Sequence, residues 1–357
     1  TYADGYGTHG DGVAETAAAE GDDEDNGDIG VCPNCMILPA RLGDTFVTDG
    51  GRAAEAMLFA ADSGAVSMSL AVGALTNPDT ATAAAKYAFE HGLTLVGAAG
   101  DENAYHHNFP AMLDNVVYTH SIRHNTINDE SAAYSYSNTW NCNNYGARLT
   151  VVAPSSACAT GSVAMITGMV GLLQSVAKDE GTVLHPGEVA QLLEGTADDI
   201  WLPEAERVIS NAYPSDEGWD AFYGYGRVNA AHAVEAVVAG EIPPWVSISS
   251  PTWFAQVDPM VSPQVLIEGT ISAERAGSYS YIVEVGRGHD PRDWTQIGDG
   301  SGSGVETGVL ATLDLEGFAW KAPLEADVSE GIMGRIARAH ENQLTVRVRV
   351  TDDSGLM

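Results

Sequence analysis

The sequence predicts an α/β domain built on a doubly wound parallel sheet, followed by an all-β sandwich. Helical and strand patterns alternate over residues 1–240, whereas residues 241–357 carry short runs of alternating apolar and polar residues between Gly, Pro, Ser and Asp turns. Length agrees with two domains, since 357 residues exceed the ~250 that a single core usually organises.

In chain order, Val13–Glu20 reads as a helix after Gly12, Met36–Leu42 as a strand, Gly51–Gly64 as a helix closed by its glycine, and Ala65–Val72 as a strand. Thr80–Leu93 is helical, with Ala85, Phe89 and Leu93 on one stripe, and Thr94–Gly100 and Asn115–Ile122 are further strands. Ser155–Leu173 opens with two hydroxyls and continues as a long apolar helix. Such alternation builds βαβ units on a sheet covered on both faces, with function beyond the carboxyl ends of the strands. After Gly240 the chain meets Pro243–Pro244. Trp245–Pro251, Val265–Ser272, Tyr279–Gly286 and Leu344–Asp352 then alternate as antiparallel strands do. The chain starts at Thr1 and stops just after a strand enters a turn, so both domains are expected to continue past its ends, which leaves room for a signal peptide upstream.

Formal charge is −33, from 49 acidic and 16 basic residues, with lysine only at 86, 178 and 321. Nucleic acid and anionic membranes would be repelled by such a surface. The apolar run around Met165–Leu173 is interrupted by Thr160, Ser162, Thr167 and Gln174, which marks a buried helix rather than a membrane span. Cys32, Cys35, Cys142 and Cys158 allow three disulfide pairings, and oxidised pairs in a secreted or cell-surface protein are the expectation. The Cys32–Cys35 spacing also fits a redox dithiol or half a zinc site, but no second such pair follows.

Acyl transfer needs a nucleophile, a base, a group that orients the base, and donors for the oxyanion. Three strand-to-helix junctions offer candidates: His9 before a helix, Asp101 after a strand, and Ser155–Ser156–Ala157 at the start of the apolar helix. A lone His9 would be an ordinary loop histidine, yet the three together resemble the boxes of the subtilisin-like serine peptidases, the subtilases. His9–Ala14 is similar to the box whose first residue is the catalytic base. Val66–Leu70 resembles the strand that binds substrate backbone, which the resemblance assigns to Ser69 and Leu70. Ala98, Ala99, Gly100 and Asp101 resemble the segment carrying the oxyanion side chain. Ala157–Ala164 is similar to the nucleophile box, Gly27–Leu42 shows a related spacing, and Tyr223–Val234 resembles the closing segment. The resemblance implies a three-layer domain with about seven parallel strands, a polypeptide substrate, and endoproteolysis through an acyl-enzyme. The second domain is expected to be an immunoglobulin-like or fibronectin-like sandwich.

Departures from the pattern are as informative. Only eight residues precede His9, so the family's catalytic aspartate is missing, and Asp4 is too near to replace it. Ala157 stands at the nucleophile position, Asp101 at the oxyanion asparagine, Asp11 at a small hydroxyl residue, and Gly161 and Ser162 at Pro and His. The loop that active members place between Pro154–Ser155 and Ala157–Cys158 is absent. A protonated Asp101 still donates a hydrogen bond where an ionised one repels negative charge. Three readings follow: a peptide-binding homologue impaired in catalysis, an active secreted endopeptidase using Ser156 or a displaced serine, and a structural or adhesive surface module. Ser155 and Ser156 also suit helix capping, because a one-residue slip on a helix turns a side chain by ~100°.

Glu20–Gly30 is acidic, and Asp22, Asp23, Asp25, Asn26 and Asp28 supply the oxygens Ca2+ prefers; a solvated acidic loop is the competing reading. His106–His107 read as a surface loop, since adjacent side chains on an extended segment point to opposite sides.

Overall fold

The computed structural model describes residues 9–21, 29–43, 48–74, 76–106, 108–124, 135–136, 142–155, 157–201, 215–320 and 342–357. The chain divides into two compact units, Thr1–Ile242 and Pro243–Met357.

In the first unit α1 (His9–Ala18) and α2 (Gly50–Asp62) precede β1 (Ser67–Leu70), and α3 (Asp79–Glu90) crosses over to β2 (Thr94–Ala98). Next come β3 (Val116–His124), the two-residue β4 (Ser135–Tyr136), β5 (Val151–Pro154), α4 (Ala159–Asp179), α5 (Pro186–Gly195) and α6 (Ala230–Ala239). β1, β2, β3 and β5 run parallel in that order, in registers Ser67↔Thr94, Leu95↔Val116 and Thr119↔Val151, while β4 pairs antiparallel with the end of β3. Asp49 starts α2 by accepting the Gly51 and Arg52 amides, and α6 ends at Gly240 in the left-handed region.

Period-two alternation along β1 fixes the layers. Met68 and Leu70 enter one core with Met57 and Ala61 of α2, Ala84 and Ala88 of α3, and Leu95 of β2. Ser67 faces the other way, where its hydroxyl donates to the Thr167 carbonyl of α4 at 3.1 Å. α4 lies across β1, β2, β3 and β5, with α1 against its outer side. Among the described residues α4 is the one helix long and apolar enough to cross a membrane, and two-thirds of its most apolar stretch is buried in the fold.

One expected strand is not there. Met36–Leu42 has no ladder partner among the described residues; Met36, Ile37 and Leu38 are exposed, and only Leu42 packs against the α2/α3 core. Pro39 removes a donor from the middle of this run.

The second unit comprises β6 (Trp245–Ser250), β7 (Gln264–Ala273), β8 (Tyr279–Arg287), β9 (Trp294–Gly302), β10 (Gly304–Asp314) and β11 (Leu344–Asp352). They form two antiparallel three-stranded sheets, ordered β10-β7-β6 and β11-β8-β9. Ile267 and Leu313 of one sheet pack against Val283 and Val285 of the other, which makes a sandwich. On the far face of the second sheet, the nearly buried Glu284 accepts from Arg347 at 2.8 Å and Arg349 at 3.0 Å.

Candidate functional site

His9 is the first residue of α1, and the expected base therefore sits at a helix N-terminus, with Asp11 in the first turn. The position of α1 is set by α4. A Cβ at Gly168 would lie 2.5 Å from the Ala17 carbonyl oxygen and 2.9 Å from Val31 Cβ, so the two helices meet backbone to backbone there. The chain after α1 returns to the same place. The Cys32 amide donates to the Ala17 carbonyl at 2.9 Å, and the Cys32–Cys35 disulfide packs beside Gly171.

Asp101 lies on the loop after β2. Ala98 and Ala99 are buried, with their carbonyls accepting from Asn108 at 2.8 Å and Asn144 at 3.0 Å, and Gly100 turns the chain at φ +102°. A fully buried Asn144 holds this loop. Its amide donates to the Gly100 carbonyl at 3.1 Å, and its side-chain oxygen accepts the Glu102 amide at 3.2 Å and the Ala104 amide at 3.1 Å. Its side-chain nitrogen also reaches the Glu102 carboxylate, which accepts the Asp101 amide at 3.1 Å and stands 3.5 Å from His106 Nδ1.

α4 begins at Ala159, not at Ala157. Cys158 is the N-cap and makes no side-chain cap bond; the Asp101 carboxylate accepts the Ala159 amide instead, at 3.0 Å. A carboxylate there satisfies an orphan helix donor and meets the positive end of the helix. Ala157 is exposed and precedes the helix. Ser155 does not cap it, because its Oγ accepts from the Ala157 amide at 3.1 Å. Oγ also occupies the place a side chain at 161 would need, which accounts for Gly161. Ser156 lies outside the described residues, as do His107 and the proposed calcium ligands Asp22, Asp23, Asp25, Asn26 and Asp28. Among the described residues no cluster of three or more His, Cys, Asp or Glu side chains could hold a metal ion.

Further contacts fix this helix end. The Ser121 hydroxyl donates to the Cys158 carbonyl at 2.7 Å and accepts the Ser162 amide at 3.2 Å. Asn143 pairs with both backbone groups of Ser121, at 2.6 and 3.2 Å, and the Cys142–Cys158 disulfide ties the Asn143–Asn144 segment to the cap. Sequence reading missed Ser121, Asn143 and Asn144, whose partners lie tens of residues away.

The candidate groups converge on one place. The charge of His9 acts on the Asp101 carboxyl, which bonds to α4 at Ala159. Ala17 of α1 meets Gly168 of α4, so the two helices pack against each other, and the Asp101 carboxyl sits at the start of α4. Asp101 is exposed as a residue, but partial desolvation of its carboxyl raises it above the ordinary aspartate range; the Ala159 amide pulls it down, Glu102 pushes it up, and His9 pulls it down. Ser69 and Leu70 lie on β1, with Leu70 opposite Gly97 of β2, the strand that leads into the Asp101 loop. Leu70 is fully buried and Ser69 Oγ is buried without a partner, so β1 can offer a ligand only its backbone.

The family model described as the subtilase family matches residues 2–226. The chain is 29% identical over 238 residues to the thermophilic serine proteinase of Bacillus sp. (strain AK1), covering 63% of this chain and 52% of that protein. It is 27% identical over 240 residues to thermitase of Thermoactinomyces vulgaris, covering 65% and 75%. The chain thus spans about half the length of the Bacillus relative. Its fold is similar to that of the prenylagaramide maturation protease PagA, with TM-score 0.51, 18% identity and coverage of 64% of this chain and 82% of that one. Fervidolysin of Fervidobacterium pennivorans superposes with TM-score 0.50 at 19% identity, covering 85% and 43%.

Proposed function

The chain belongs to the subtilase family through residues 2–226, and on that premise we propose that it is a secreted, peptide-binding subtilase homologue impaired in acyl transfer. One observation carries this reading: Asp101 accepts the first amide of α4. Oxyanion stabilisation requires donors aimed at the developing charge, and each missing donor costs roughly 10²–10³ in rate. Here an acceptor stands at the helix N-terminus and occupies one of its free amides. Peptide binding rests on the resemblance of Val66–Leu70, which contains β1, to the strand that binds substrate backbone in the family. Two disulfides and the acidic composition support an oxidising, extracellular setting.

A second reading, residual peptidase activity, is favoured by the match of residues 2–226 to the subtilase family. Its candidate nucleophile is Ser156 or a displaced serine near the start of α4.

A fluorophosphonate probe at pH 7.5, followed by peptide mapping, and calorimetric titration of an extended peptide separate the readings. Saturable peptide binding without a covalent adduct is expected. An adduct within residues 155–162 would establish the second reading, and neither binding nor adduct would leave a structural module.

A further inference from the structure

The two disulfides differ in what holds them. Cys142–Cys158 sits in a buried network, with the fully buried Asn143 and Asn144 beside Cys142 and the Cys158 carbonyl accepting from Ser121. Cys32–Cys35 joins residues only 3 apart on an open flank. Cys32 is buried, but Cys35 is half-buried and its neighbours Asn34 and Met36 are exposed. The pair also stays together without its bond. The Cys35 amide donates to the Cys32 carbonyl at 2.9 Å, and Pro33 holds the turn position that favours a fixed φ. The cross-link therefore adds little constraint, and the two thiols of a reduced form remain within reach of each other.

The surroundings give this bond leverage on α1. The last carbonyls of a helix have no partner within it. At the end of α1, those of Thr16, Ala17 and Ala19 accept the Val31, Cys32 and Gly30 amides at 3.2, 2.9 and 2.9 Å. On the other side both sulfurs lie against α4, where a Cβ at Gly171 would stand 2.8 Å from Cys35 Sγ and 3.6 Å from Cys32 Sγ. Sulfurs that are no longer bonded must move apart to van der Waals distance, and α4 blocks them on one side.

We propose that Cys32–Cys35 is a reversible redox site, reduced by dithiols, whose state sets how firmly the end of α1 is held against α4. A thiolate of the dithiol attacks the more accessible Cys35 Sγ; the disulfide breaks, a mixed disulfide forms, and Cys32 leaves as a thiolate that takes up a proton. The second thiol of the reductant then closes its own disulfide and releases Cys35, which is protonated in turn. One disulfide is exchanged for another, and two electrons and two protons pass from the reductant to the protein. In the reduced state the sulfurs swing away from Gly171, the Cys32 amide loosens from Ala17, and the helix that begins with His9 loses the anchor at its far end.

The test equilibrates the full chain at pH 7.5 with mixtures of reduced and oxidised dithiothreitol, traps free thiols with N-ethylmaleimide and reads each cysteine by peptide mass mapping. Cys32 and Cys35 should be half-reduced at a ratio of reduced to oxidised dithiothreitol about tenfold lower than Cys142 and Cys158 require, and should reoxidise when the ratio is reversed. In the chain reduced at Cys32–Cys35, amide hydrogen exchange should rise about tenfold at Ala17–Ala19, Val31 and Cys32 and stay unchanged in α2 and α3. The double variant Cys32→Ser with Cys35→Ser should show the same pattern without reductant. Reduction of both disulfides at one ratio, or of Cys32–Cys35 only in urea that unfolds the domain, overturns the redox site. Equal exchange at the end of α1 in oxidised and reduced wild type overturns the coupling. A double variant that fails to fold would mark the bond as structural and count against the proposal.

Discussion

Gly168 of α4 and Ala17 of α1 approach so closely that a Cβ on Gly168 would stand 2.5 Å from the Ala17 carbonyl oxygen. This contact sets how far His9 lies from the N-terminus of α4, since each helix runs rigidly from it to the candidate site. Gly168→Ala should therefore push the helices apart and cost about 1–3 kcal/mol, the usual penalty for overpacking. Urea denaturation measures the loss, and an unchanged midpoint would mean that the helices slide at no cost.

Asn144 serves four groups of the Asp101 loop: the Ala99 carbonyl, the Glu102 and Ala104 amides and the Glu102 carboxylate. Asn144→Ala strands at least the Ala99 carbonyl in a buried setting. Each stranded buried group costs about 1–3 kcal/mol, so a total of about 2–5 kcal/mol is expected. Hydrogen exchange should rise selectively at Glu102 and Ala104. Uniform exchange across the domain would contradict the role of Asn144 as the brace of this loop.

The two disulfides should contribute unequally. Cys142–Cys158 spans 16 residues and Cys32–Cys35 only 3. Loop-closure entropy assigns the longer one about 3 kcal/mol and the shorter one less. Paired Cys→Ser variants compared by thermal unfolding test the ranking, which equal losses would reverse.

Two desolvated groups give stability opposite slopes with pH. His120 is fully buried on β3 with its ring nitrogens 3.0 Å from the Ser121 carbonyl and 2.6 Å from the Phe222 carbonyl, of which the neutral ring can donate to one; desolvation lowers it to about 4, against the backbone bonds that raise it. Its neutral form is the stable one, so its contribution is present above pH 6.5 and is lost as pH falls through about 4. The shift corresponds to on the order of 3 kcal/mol. Glu194 is half-buried, and desolvation raises it to about 7, although Gln191 donates to it at 2.8 Å and pulls the other way. Its contribution is present below about 4.5 and is lost as pH rises through about 7. Unfolding midpoints between pH 4.5 and 8 should show Glu194→Gln gaining on wild type toward high pH, and His120→Gln losing its deficit toward low pH. Curves parallel to wild type would contradict both assignments.

Local patterns made much of this fold legible. The apolar stripe of α3, the alternation of β1 and the valine-rich strands of the sandwich appear close to where the residues indicate. Met36–Leu42 misled because a short apolar run without a partner strand reads like a strand. Sequence reading named no strand at β9 or β10, where glycines interrupt the alternation of apolar and polar residues. In the fold, Gly300 is where a Cβ would meet the Tyr281 ring at 2.6 Å, and Gly298 lies against Ala311. The start of α4 was misplaced for a tertiary reason: Ser155 and Ser156 have the composition of a cap, but Asp101 supplies it from 58 residues away. His9 and Asp101 were visible as residues, whereas Asn144, Asn143 and Ser121 carry no local signal, because their bonds span 22 to 45 residues.

The impairment itself is tested most directly by cleavage. An unstructured polypeptide incubated at pH 7.5 with wild-type protein or with His9→Ala, its fragments read by mass spectrometry, should give the same uncut profile in both. Fragments formed by wild type and abolished in His9→Ala would show that the site transfers acyl groups despite Asp101, and would contradict the account.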